Sequence, residues 1–90
     1  MFQELFKIIQ DRQANPKPGS YTNSLFDAGL PRIAQKVGEE GTEVVVAALS
    51  QDNERLIEEI ADLTYHVLVL MASKGITPDH VAIELDKRHK

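Results

Sequence analysis

Between Pro31 and Gly75 the chain is interrupted only once, at Ser50-Gln51-Asp52-Asn53. On both sides of that break apolar residues recur at helical spacing, and no alternating pattern competes. Val44-Val45-Val46 is β-prone, but it sits between Glu43 and Ala47-Ala48 inside the helical pattern. Two long helices joined by so short a break have to fold back on each other. This predicts an all-α antiparallel helical bundle. The first long helix spans Pro31 to about Leu49, with the proline in its first turn. The second spans about Asn53 to Lys74, with Asp52 as N-cap and Gly75 as terminator.

The flanking segments fit the same class. Phe2, Leu5, Phe6 and Ile9 mark a helix from Met1 to about Ala14, which Pro16, Pro18 and Gly19 end. Ser20 to Gly29 reads as a loop and a short helix closed by Gly29. Thr77-Pro78 starts a last helix, with threonine as cap and proline just inside. Residues 1–90 form one domain at most. A core of this size is marginal alone and has no cysteine to brace it, so pairing with a second copy is expected. The net charge of −4 argues against nucleic acid as the main partner. No apolar run approaches a membrane span, and the N-terminus lacks the basic start and cleavage site of a signal peptide. A cytoplasmic protein is expected.

The chemistry sits in KVGEEGTEVVVAALS, Lys36 to Ser50. At about 100° per residue, Glu43 falls about 60° from Glu40, and Ile33, Val37, Val44 and Ala47 fall within about 60° of it. Glu40 and Glu43 therefore belong to the apolar stripe, while Glu39 lies about 100° away, towards its edge. The second long helix repeats the pattern. Asp62 lies about 60° to one side of Glu59, and Leu56, Leu63 and Leu70 fall within about 60° on the other. His66 shares that face, as a satisfied core residue rather than a ligand, and Glu58 points outwards. A single Glu-x-x-Glu is ordinarily a solvated face. Two such pairs, each inside an apolar stripe on consecutive helices, would set four carboxylates opposite one another in a core. Unpaired charges there cost several kcal/mol each, and Lys36 can neutralise only one. Hard divalent cations explain the arrangement better: Mg²⁺ takes oxygen ligands and shares its shell with phosphates.

The spacing Glu40-x-x-Glu43, fifteen residues, then Glu59-x-x-Asp62 resembles the metal signature of the all-α nucleoside triphosphate pyrophosphohydrolases, the MazG-like superfamily. Within it the chain is most similar to the phosphoribosyl-ATP pyrophosphohydrolases of histidine biosynthesis. The pieces carrying the likeness are Gly19-Ser20-Tyr21-Thr22, RIAQKVGEEGTEVVVAA from Arg32, EEIADLTYHVLVLM from Glu58, and ELDKRH from Glu84. One departure is Gly41-Thr42, where a helix-favouring residue is expected. Glycine there costs up to about 1 kcal/mol but touches no ligand. The resemblance implies Mg²⁺-dependent hydrolysis of phosphoribosyl-ATP between the α and β phosphates, giving phosphoribosyl-AMP and pyrophosphate. It also implies a homodimer of helical subunits and a stand-alone enzyme.

On that reading Glu40, Glu43, Glu59 and Asp62 are the metal ligands. Glu39 is a candidate to orient or deprotonate the attacking water, against a plain surface glutamate. Lys36 is the first choice for a phosphate contact, with an internal ion pair to Glu40 as rival. Arg12, Lys17 and Arg32 are further phosphate candidates, each also readable as a solvated charge. Ser20, Tyr21 and Thr22 offer hydroxyls for phosphate or ribose, although Ser20 or Thr22 can serve only as a helix cap. Arg88 is a candidate to reach substrate across a dimer, against a frayed tail. Tyr65, Leu68, Val69 and Met71 are read as packing or dimer contacts. Two alternatives stay open: a house-cleaning pyrophosphatase acting on dUTP, dCTP or damaged nucleotides, and a non-catalytic metal-storing bundle. Ferritin-like bundles use Glu-x-x-His, and the oxygen-only set here favours Mg²⁺ or Mn²⁺ over iron.

Overall fold

Proline, glycine and capping side chains divide the chain into five α-helices, seen in a computed structural model that describes residues 2–89. These are α1 (Phe2–Ala14), α2 (Tyr21–Ala28), α3 (Leu30–Ser50), α4 (Asn53–Lys74) and α5 (Pro78–Arg88). Among the described residues there is no strand, so the all-α expectation holds. The boundaries follow local chemistry. Ser20 caps α2 through its side chain, which accepts from the Asn23 backbone N–H, and Asp52 caps α4 by accepting from Arg55. Thr77 forms a reciprocal capping box with His80 at the start of α5. Gly75 ends α4 in the left-handed region at φ 71, where a Cβ would be strained. Gly29, at φ 96, is the single residue between α2 and α3 and caps both.

α3 and α4 form the antiparallel hairpin that the short break requires, and theirs is the most extensive helix contact in the molecule. The apolar core lies at one end of it. There Phe6 and Ile9 of α1, Leu25 of α2, Ile33 of α3 and Leu68, Val69 and Ala72 of α4 are buried together. Leu5, Phe26, Tyr65, Leu70 and Met71 pack around them. α5 contributes no buried residue and leans on α1, where Gln3 donates to Asp79 at 3.4 Å. The end of the hairpin near its turn differs. Val45, Val46 and Leu49 of α3 and Ile57 and Ile60 of α4 are exposed, Leu49 to 83%. Burial thus runs from a closed core, through the middle of the hairpin, to an uncovered apolar end. The carboxylates lie in the middle.

Candidate metal centre

The stripe arithmetic places Glu40 and Glu59 inward, and both are buried, at 7% and 6% exposure. Glu43 and Asp62, expected in the same buried stripe, are instead exposed. The physical reason is that helical angle fixes direction but not cover. Each lies about 60° to one side of its buried partner, at the rim of a contact made by only two helices. Glu40, Glu43 and Glu59 still bring one carboxylate oxygen each within 4.8 Å of the others. Asp62, the fourth carboxylate predicted as a ligand, lies outside that cluster.

The cluster has charged neighbours, yet one of its buried oxygens stays without a partner. Lys36 Nζ lies 3.4 Å from Glu40 Oε1 and 3.5 Å from Glu39 Oε1. The partial burial of Lys36 would by itself lower its pKa. The ion pair with Glu40, with Tyr21 and Glu39 adding to it, outweighs that and holds the ammonium above the usual lysine value. Glu40 Oε2 is buried and accepts no hydrogen bond from any described residue. A buried, unpartnered carboxylate oxygen beside two further carboxylates is unfavourable for protein alone. The donor set is all oxygen, and these residues therefore fit a hard divalent cation such as Mg²⁺.

Arg55 was not singled out by the sequence reasoning. Its Nη2 lies 3.7 Å from Glu59 Oε1, and its Nη1 pairs with Glu58. The available signal was the repeat Lys36-x-x-x-Glu40 and Arg55-x-x-x-Glu59, a basic residue one turn before each buried glutamate.

The other predicted residues take varied positions. Glu39 is exposed and shares its carboxylate among Gln35 Nε2 at 2.9 Å, Lys36 and, at 3.9 Å, Arg32. Tyr21 is half exposed, and its hydroxyl lies 2.9 Å from His66 Nε2. His66 is buried, and its Nδ1 lies 2.7 Å from the Asp62 carbonyl oxygen. A carbonyl only accepts, so Nδ1 carries a proton and donates it there, while Nε2 is paired with the Tyr21 hydroxyl. Both ring nitrogens are satisfied, as a core histidine requires. Thr22, expected to offer a hydroxyl to substrate, is buried with that hydroxyl on Tyr65. Ser20 spends its hydroxyl on the α2 cap. Arg12 pairs with neighbouring Asp11 at 3.2 Å, and Arg88 pairs with Glu84 at 3.1 Å along the exposed face of α5.

Lys17 and Ser20 line an open groove of about 650 Å³ that runs from Pro16 past Tyr21 to Asp27. A residue that sequence reasoning missed holds the wall of this groove. Buried Asn23 accepts from the Lys17 backbone N–H at 2.9 Å and donates to the Arg12 carbonyl at 2.6 Å. The proline-containing loop is tied to α2 by this one side chain. Asn23→Ala is expected to cost about 1–3 kcal/mol in urea unfolding, because both backbone groups lose their partner. A loss under about 0.5 kcal/mol would mean that water replaces the clamp.

With the three-carboxylate cluster and its flanking cations placed, comparison with known proteins decides the family. Residues 2–89 match the family described as Phosphoribosyl-ATP pyrophosphohydrolase. The chain belongs to the phosphoribosyl-ATP pyrophosphohydrolase family. It is 58% identical over 84 residues to a phosphoribosyl-ATP pyrophosphatase of Lacticaseibacillus casei, covering 93% of this chain and 76% of that protein. A protein of the same name from Clostridium botulinum is 51% identical over 90 residues, covering 100% of this chain and 82% of the relative. A third such relative, from Sulfurisphaera tokodaii, is 56% identical over 86 residues, 96% of this chain and 92% of its own length. For this member of the phosphoribosyl-ATP pyrophosphohydrolase family, the match takes in all five helices, both arms of the carboxylate hairpin included.

Proposed function

We propose that the chain hydrolyses phosphoribosyl-ATP at the α–β phosphate bond, releasing phosphoribosyl-AMP and pyrophosphate, as a step of histidine biosynthesis. The observation that carries this reading is the buried, unpartnered Glu40 Oε2 inside a three-carboxylate cluster, in a chain of this family. Glu40, Glu43 and Glu59 would hold Mg²⁺, with Asp62 one turn beyond Glu59 as the fourth ligand. When bound, the ion supplies charge neutralisation at the phosphates and a more acidic water.

The protein side chains do the rest. Lys36, fixed beside Glu40, meets phosphate oxygens at the edge of the cluster. Tyr21, fixed by His66, borders both Lys36 and the open groove, and Lys17 supplies a second cation along that groove. Arg32 stays beside Glu39 and adds positive charge at the start of α3. The Glu39 carboxylate already accepts a hydrogen bond from Gln35 and faces the charges of Lys36 and Arg32, so orienting the attacking water is the role assigned to it, in place of full proton abstraction. The uncovered apolar end of the hairpin is assigned to a second copy of the chain, giving a homodimer. No helix among the described residues is long and apolar enough to cross a membrane, and we assign the enzyme to the cytoplasm.

The test is pyrophosphate release from phosphoribosyl-ATP with Mg²⁺ and then with excess EDTA, beside a panel of dNTPs. Release that stops with EDTA and exceeds turnover of every dNTP is the expected result. Faster turnover of dUTP or dCTP would replace the substrate while leaving the metal centre. Tight iron binding without hydrolysis of any nucleotide would favour a storage bundle.

A further inference from the structure

The two arms of the hairpin carry the same arrangement. Lys36, Glu40 and Glu43 on α3 repeat as Arg55, Glu59 and Asp62 on α4, with equal spacing in both. Measured from each buried glutamate, the basic residue falls about 40° and the outer acid about 60° to the same side. In space the parallel holds for the cations. Lys36 Nζ is 3.4 Å from Glu40 Oε1, and Arg55 Nη2 is 3.7 Å from Glu59 Oε1. Each buried carboxylate thus has one oxygen held by its own helix's cation.

We infer that Arg55 is a second phosphate-binding cation of this site, which occupies Glu59 until a divalent ion displaces it and then turns to the pyrophosphate end of the substrate. This rests on the metal reading above. Three features support it. Arg55 is ion-paired, at 3.7 Å, with a buried carboxylate of the cluster, so a divalent ion held by that carboxylate would compete with it. It has a second anchor in exposed Glu58, through Nη1, so losing Glu59 leaves it at the rim of the cluster and not free in solvent. Its side chain is half exposed, and a guanidinium has more N–H donors than these two carboxylates use. A planar fork with spare donors beside a metal centre suits phosphate oxygens. Lys36 and Arg55 would then grip the polyphosphate from opposite helices, on the same open side as Glu43 and Asp62.

The experiment compares the full-length wild type, Arg55→Met and Arg55→Lys. Mn²⁺ affinity is measured without substrate by electron paramagnetic resonance. Pyrophosphate affinity is measured with Mg²⁺ present by calorimetry. Arg55→Met is expected to bind Mn²⁺ about three- to tenfold more tightly, because a competing charge is gone, and pyrophosphate about tenfold more weakly. Arg55→Lys keeps wild-type Mn²⁺ affinity and regains only part of the pyrophosphate affinity, since a point charge lacks the fork. A purely structural Arg55 would not move the two affinities in opposite directions. Unchanged or weaker Mn²⁺ binding in Arg55→Met, or unchanged pyrophosphate binding, overturns this inference alone. Wild-type protein that binds no Mn²⁺ at all overturns the metal centre and the inference together.

Discussion

Glu40→Gln is expected to lower pyrophosphate release on the order of 10³-fold while leaving the helices in place. Glutamine keeps the shape of the side chain and removes the charge. The buried Oε2, the atom of the cluster without a hydrogen-bond partner, becomes part of a neutral amide, and the cluster loses one of its two buried charges. Lys36 keeps Glu39 as an ion-pair partner, so the apo fold has little reason to fail. The variant separates two effects of the metal. If the proposed site holds Mg²⁺, a concentration about 100-fold above its Kd should stabilise the wild type by about 2.7 kcal/mol by mass action. In a domain of this size that raises Tm by roughly 10 °C or more. Glu40→Gln should show almost none of that rise, with nearly the same Tm as the wild type in EDTA. Circular dichroism melts with and without Mg²⁺ check this beside the activity. A variant that still hydrolyses substrate would show that the site is misplaced. One that loses activity but keeps the full Mg²⁺-induced rise would move the ion away from Glu40.

The second large effect concerns assembly. Leu49→Asp combined with Ile57→Asp should turn a dimer into a monomer, weakening association by at least about 10³-fold. These side chains stand 83% and 68% exposed at the turn end of the hairpin, beside Val45, Val46 and Ile60. An apolar end of this kind on a small domain calls for a cover. A two-fold interface uses the same patch twice, so two substitutions place four charges in it. Burying a leucine or isoleucine contributes about 1.5–3 kcal/mol, and an unpaired carboxylate in its place adds a desolvation cost. Sedimentation velocity reads the outcome. A monomeric wild type refutes the dimer. A dimer that survives both substitutions moves the interface elsewhere, and the exposed Val81, Ile83 and Leu85 of α5 would be the next face to test.

Much of the architecture was legible because its causes are local. Pro31, Asp52, Gly75 and the Thr77-Pro78 pair each act within a turn of themselves, and each marks a helix end where expected. The burial of Glu40 and Glu59 was legible for a related reason: angle around a helix follows from residue number. The same arithmetic misjudged Glu43 and Asp62, because it does not say where a neighbouring helix stops covering a face. Features set by distant parts of the chain stayed hidden. The Tyr21–His66 hydrogen bond joins residues 45 apart, and the Thr22–Tyr65 bond joins residues 43 apart. No local pattern marks Asn23 as the clamp of a loop before it. Arg55 differs, since its spacing to Glu59 was in plain view. Taken alone that spacing is a common surface pair, and only the parallel with Lys36 gives it meaning.

The hairpin also bears on the order in which the protein assembles. Glu40 and Glu59 belong to consecutive helices joined by Gln51 and Asp52 alone, so their meeting closes a short loop. The apolar core needs a far longer closure, because α1 must return to the end of α4, from Phe6 and Ile9 to Leu68 and Val69. Short closures cost less chain entropy and form sooner. The mutually repelling carboxylates are therefore expected to gather early, before the greasy end of the molecule is in place to hold them. A cation in the refolding buffer would act there on the barrier to folding, and not only on the finished protein.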